Sequence, residues 1–104
     1  MKNENFEITE DQIPGGSKFI IKGRVNAINA DELQLKLEKA FNDGQKKLVL
    51  NMLRVEYLSS AGIRVILKMY KQAKDVGGKL GIEMASENVR NVLGMTALDD
   101  MLIN

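Results

Sequence analysis

A chain of 104 residues with 44% hydrophobic and 28% charged content is long enough to bury one core and too apolar to be a disordered or fibrous segment. Fifteen basic and fourteen acidic residues leave a formal charge of +1, which supplies no long-range field for holding nucleic acid or an anionic membrane. The absence of cysteine and histidine excludes disulfides, a thiolate nucleophile, a thiolate metal site and the usual general base.

The opening residues mix charges with turn formers, and no apolar run is long enough to span a membrane. Neither a signal peptide nor a membrane helix is expected, so the cytoplasm is the expected address. A first strand is predicted over Phe6 to Gln12, and Pro14-Gly15-Gly16 supplies a tight turn. The return strand runs from Lys18 to Val25, with Phe19, Ile20 and Ile21 giving it the character of a pleated surface, and Gly23 marks a bend or a close backbone approach. Asn29 with Glu32 reads as the cap of a first helix reaching Asp43, in which Ala30, Leu33, Leu37, Ala40 and Phe41 repeat at helical spacing. Gly44 ends it, and Lys47 to Met52 reads as a central strand buried on both faces. Ser59 or Ser60 caps a second helix that reaches Val76 and stops at Gly77-Gly78. Leu80 to Met84 is a further strand, Ser86 caps a third helix over Glu87 to Leu93, and Met101 to Ile103 closes the chain as a short strand. The order ββαβαβαβ defines an α/β fold: one domain over residues 1–104 with a mixed, mostly parallel sheet and helices packed on it.

The informative stretch is Asn51 to Lys71, NMLRVEYLSSAGIRVILKMYK, which passes from a buried strand through a short turn into a helix opening on two serines and a glycine. Such loops at the carboxyl edge of a sheet are where sites form, and a helix amino end offers unpaired N–H groups and a positive dipole end. The plain reading makes Ser59 and Ser60 a cap and nothing more. A nucleophilic serine is disfavoured, because the glycine-flanked turn of a nucleophile elbow is missing and no histidine exists to deprotonate it. Asn51 either faces the site from the strand end or satisfies backbone groups there.

On the second helix Ile63, Ile66, Leu67, Tyr70 and Ala73 form a core stripe, and Val65, Met69 and Val76 widen the apolar arc to roughly 200°. The excess meets a neighbouring helix or forms a partner patch beside Ser60. Arg64, Lys68 and Lys71 line the opposite face, as a solvated surface or as a kinase contact. No phosphate-binding loop is present, and Glu10-Asp11 and Asp99-Asp100 lack companion ligands, so neither cofactor nor metal is implied.

The segment YLSSAGIRVILKMYKQAKDVGGKL resembles the central part of STAS domains, in particular the bacterial anti-sigma factor antagonists. Gly23 and Asn26 fit that family's loop after the second strand, Asn51 fits its polar residue ending the central strand, and Met95-Thr96-Ala97-Leu98 is similar to its closing M-S-G-L. The resemblance implies a partner-switching role: the unmodified protein binds an anti-sigma factor with serine kinase activity, phosphate on one serine breaks the complex, and a serine phosphatase restores it. With Gly62 and the following Val65-Ile66-Leu67 setting the register, the phosphoacceptor position falls on Ser60. Asn26, Ser59, Gly62, Arg64, Val65 and Met69 are then expected on the partner-binding face, with Gly23 and Asn51 lining the site. Asn26 and Ser59 stand where many members carry acids, which removes negative charge near Ser60. The alternative is a STAS scaffold or ligand-sensing module without a switch; neither reading involves catalysis, nucleic acid or membrane.

Overall fold

The computed structural model describes residues 5–96 and 98–103. A hairpin opens the chain: β1 (Phe6–Ile13) and β2 (Gly16–Val25) pair antiparallel around Pro14 and Gly15, the latter at φ 79°, a backbone conformation open to glycine at no steric cost. Then follow α1 (Ala27–Asn42), β3 (Lys47–Leu58), α2 (Ser60–Asp75), β4 (Lys79–Glu83), α3 (Glu87–Met95), a 3-10 turn (Asp99–Met101) and β5 (Leu102–Ile103). The five strands lie in chain order across one sheet, and every pairing after the hairpin is parallel. The expected order ββαβαβαβ and the mostly parallel mixed sheet are therefore found.

Side-chain alternation sends Phe19 and Ile21 of β2, Leu48, Leu50 and Met52 of β3, and Leu80 and Ile82 of β4 to one face. There they join Ala30, Leu33, Leu37 and Ala40 of α1, Ile66, Met69 and Ala73 of α2, and Val89 and Leu93 of α3 in one continuous core. Each fully buried Val, Leu, Ile, Phe or Met of this core contributes about 1.5–3 kcal/mol. The opposite face of the sheet carries Lys18, Lys22 and Glu83, and Lys18 reaches over β3 to form an ion pair with Glu83.

Four expectations are corrected. The helix expected to begin at Asn29 begins at Ala27, because Asn26 is the residue in extended conformation whose side chain accepts from the Asn29 N–H. The Asn29 side chain is buried and donates to the Arg24 carbonyl, so it ties the helix to the end of β2 instead of capping it. The central strand does not stop at Met52: two register shifts against β2 insert extra residues and let β3 run on to Leu58. Finally, Gly62, Val65 and Met69 are not on a partner face. Val65 and Met69 are buried in the core beside α1, and Gly62 is so closely packed that a Cβ there would meet Leu58 Cδ1 and Val25 Cγ1, each at 2.8 Å. The helix–helix alternative holds for Val65 and Met69, whereas Val76 is exposed beyond the end of α2, and Ile63, Leu67 and Tyr70 of the expected core stripe are only partly buried.

Because Met69 is fully buried, Met69→Ala is expected to lower the unfolding free energy by about 2–5 kcal/mol in urea denaturation. A change below about 0.5 kcal/mol is what a surface position would give instead.

Candidate functional site at the amino end of α2

The chain leaves β3 at Leu58 and enters α2 through Ser59, whose backbone is extended at φ −78° and ψ 168°. Its N–H donates to the Val25 carbonyl at 2.9 Å, which fastens the end of β3 to the end of β2. Its hydroxyl oxygen accepts from the Gly62 N–H at 3.2 Å, and its carbonyl accepts from the Ile63 N–H at 3.0 Å. Ser59 is thus the cap, and it satisfies a first-turn donor that has no partner within the helix.

Ser60 is the first helical residue. It is exposed, and among the described residues no hydrogen bond engages its hydroxyl. The first turn of α2 contains no acid, so the positive end of the helix dipole is uncompensated there. Arg64 lies one turn further along, exposed and in no ion pair among the described residues. Residues four apart on a helix are neighbours, so a negative group on Ser60 would have both a dipole end and a guanidinium within reach. Arg64 also borders a groove of about 270 Å³ between α1 and α2, together with Asp31, Gln34 and Lys68.

Of the other residues singled out from sequence, Asn26 is brought to this place: it is half-buried, caps α1, and follows the Val25 that binds Ser59. Gly23 and Asn51 do not line the site. Gly23 sits within β2 at φ 93°, where the Asn5 carbonyl lies so close that no Cβ would fit. That is the close backbone approach expected of it, but toward β1. Asn51 lies mid-strand, paired with Ile20 and Glu83, roughly 20 Å along β3 from Ser59. Its side-chain oxygen accepts from the Leu53 N–H at 3.2 Å at the first register shift, which is the backbone-satisfying alternative. Of the Met95-Thr96-Ala97-Leu98 segment, Ala97 lies outside the described residues.

Sequence reasoning passed over three residues at this edge. Ile28, in the first turn of α1, is 77% exposed, and the signal was its position off the Ala30–Leu33–Leu37 stripe. Arg24 stacks its guanidinium 4.6 Å from the centroid of the Tyr57 ring, a pairing that only the extended β3 creates.

The STAS domain family model matches residues 7–104, and the chain belongs to this family. Over 87 residues it is 36% identical to BtrV of Bordetella bronchiseptica, a protein assigned by name as an anti-sigma factor antagonist, covering 84% of this chain and 75% of BtrV. Among solved structures it superposes on the unphosphorylated form of the anti-sigma factor antagonist SpoIIAA, a Bacillus cell fate determinant, with a TM-score of 0.83 at 16% identity, covering 93% of this chain and 86% of that one. The phosphorylated form of SpoIIAA gives a TM-score of 0.76, also at 16% identity, over 94% of this chain and 88% of that one. An anti-sigma factor antagonist of Mycobacterium paratuberculosis gives 0.84 at 18% identity, over 98% of this chain and 87% of that one. At such identities the superpositions establish the fold, and the family model with the match to BtrV bears out the STAS resemblance.

The two serines have separable roles in stability. Ser59→Ala is expected to lower the unfolding free energy by about 0.5–2 kcal/mol through loss of the cap. Ser60→Ala is expected to change it by less than about 0.5 kcal/mol, both read from chemical denaturation midpoints.

Proposed function

We propose that this protein is an anti-sigma factor antagonist whose hold on its partner is broken by phosphate on Ser60. The observation that carries this reading is the unengaged, exposed Ser60 hydroxyl beside a cap already made by Ser59. The names of BtrV and of the SpoIIAA and mycobacterial structures support the antagonist class. The partner in this reading is an anti-sigma factor with serine kinase activity, and a serine phosphatase resets the switch. The role is one of binding, without catalysis by this chain.

A phosphate group adds about −1.5 to −2 charges at neutral pH. At the amino end of α2, with no acid in the first turn and Arg64 one turn away, that charge favours the folded domain. Release of the partner then comes from the interface: a dianion pressed against a docked surface loses its water without a matched counter-charge. Asn26, Ser59 and Arg64 surround that position, with Ile28 and Tyr57 as exposed apolar contacts. Asn26 is used as a cap and Ser59 replaces an acid of many relatives, so the kinase would read this serine with fewer carboxylates around it.

Incubation with the cognate anti-sigma factor kinase and ATP, followed by intact-mass measurement, is expected to add one phosphate to the wild type and none to Ser60→Ala. Absence of uptake by the wild type, with partner binding retained, would mean a STAS scaffold without a switch and would overturn the proposal.

A further inference from the structure

At the end of the parallel strands opposite Ser60, a groove of about 370 Å³ opens between the last turns of α2, the starts of β3 and β4, and β5. Its volume falls at the small end of the range for small-molecule sites. Val49, Tyr70, Leu80 and Ile103 give it apolar walls, and Lys47, Lys74 and Lys79 stand around it.

Two of these lysines share one face of the sheet: alternation turns Lys47, Val49 and Lys79, with Ile103 opposite Gly81, away from the helices, whereas Lys74, Tyr70 and Leu80 border the groove from the helix side. Lys47 and Lys79 are register partners on adjacent parallel strands, so two like charges face each other across the ladder. The register is locked where the Lys79 N–H donates to the Lys46 carbonyl at 2.8 Å, and where Gly78 lies so close to that carbonyl that no side chain would fit. Lys74, in the last turn of α2, places its ammonium 5.3 Å from the centroid of the Tyr70 ring. Among the described residues none of the three is in an ion pair, and Asp100 is the one acid with a described side chain that borders the groove. An anion between Lys47 and Lys79 relieves their repulsion, and an apolar body beside it covers Val49 and Ile103 on the same face.

The edge of the sheet decides between a small guest and a peptide. β5 pairs with β4 only at Ile82 and Glu83, and the Lys79 N–H points back toward β3. Alternation along a parallel ladder therefore leaves Leu80 as the residue whose main-chain groups face the open edge. One residue is too short an edge to hold an added strand.

We propose that this groove binds a small amphiphilic anion, a carboxylate carrying an alkyl chain, with the head between Lys47 and Lys79 and the chain against Val49 and Ile103. The site is independent of Ser60. The probe is sodium decanoate, held below its micelle concentration and titrated into the isotope-labelled 104-residue protein, with decyltrimethylammonium as the control of opposite charge. Decanoate is expected to give saturable amide shifts centred on Lys47 to Val49, Lys79 to Gly81 and Ile103, and the cation none there. The Lys47→Glu/Lys79→Glu variant is expected to bind roughly tenfold or more weakly while keeping a folded spectrum. The milder Lys79→Gln should weaken binding in the same direction, and Lys36→Glu on the exposed face of α1 should leave it unchanged. Shifts centred on Ile28, Leu35 or Met95, an equal response to the cation, undiminished binding by both lysine variants, or occupancy of the groove by a short glutamate-rich peptide but not by decanoate would each overturn the assignment.

Discussion

Ser59 donates its N–H to the Val25 carbonyl, accepts from the Gly62 N–H at its hydroxyl and accepts from the Ile63 N–H at its carbonyl. These three bonds join the ends of β2 and β3 to the start of α2, and the position of everything at that edge follows from them. Asn26 begins α1 directly after Val25, so both helix amino ends emerge side by side. Gly62 is pressed against Val25 and Leu58, which lets α2 sit low on the sheet and bury Val65 and Met69 against α1. With the cap made by its neighbour, Ser60 keeps a hydroxyl with no structural duty. A charge placed there meets the helix dipole and Arg64 before it meets any acid of the same turn.

Much of this was legible in the sequence, for reasons that differ by element. The hairpin and α2 carried strong local signals: Pro14-Gly15 for the turn, and a helical repeat bounded by serines and a glycine pair. Ser60 could be singled out because a serine pair at a strand-to-helix turn is both a cap and an anion site, and the resemblance to STAS domains chose between its members. The start of α1 was misread because Asn26 and Asn29 both suit a cap. Only the tertiary bond from Asn29 to the Arg24 carbonyl separates them. The second half of β3 was missed because its two register shifts give buried positions at Met52, Val55 and Leu58, a spacing of three that matches no regular strand. Asn51 was placed at the strand end by the same error. Val65 and Met69 looked like a partner patch since a single helix does not disclose what lies on its flank. The neighbour was α1.

The two ends of the sheet have opposite characters. At the carboxyl ends of β2 and β3 stand the amino end of α2 and one arginine, which in the proposed reading meet the charge of a phosphorylated Ser60. At the amino ends of β3 and β4, register sets Lys47 against Lys79 beside apolar walls, a charge arrangement that an anionic guest would complete. Between them lies the single core that all three helices share.

The central claim is that phosphate on Ser60 changes what the domain binds without weakening the domain. The most direct measurement compares the Ser60-phosphorylated and unmodified proteins for unfolding free energy and for affinity toward the anti-sigma factor in the same buffer. The account predicts a domain as stable as before, or more stable by about 0.3–1 kcal/mol, with affinity reduced at least roughly tenfold. A phosphorylated domain destabilised by more than about 1 kcal/mol, or one that binds its partner as tightly as the unmodified protein, would contradict it.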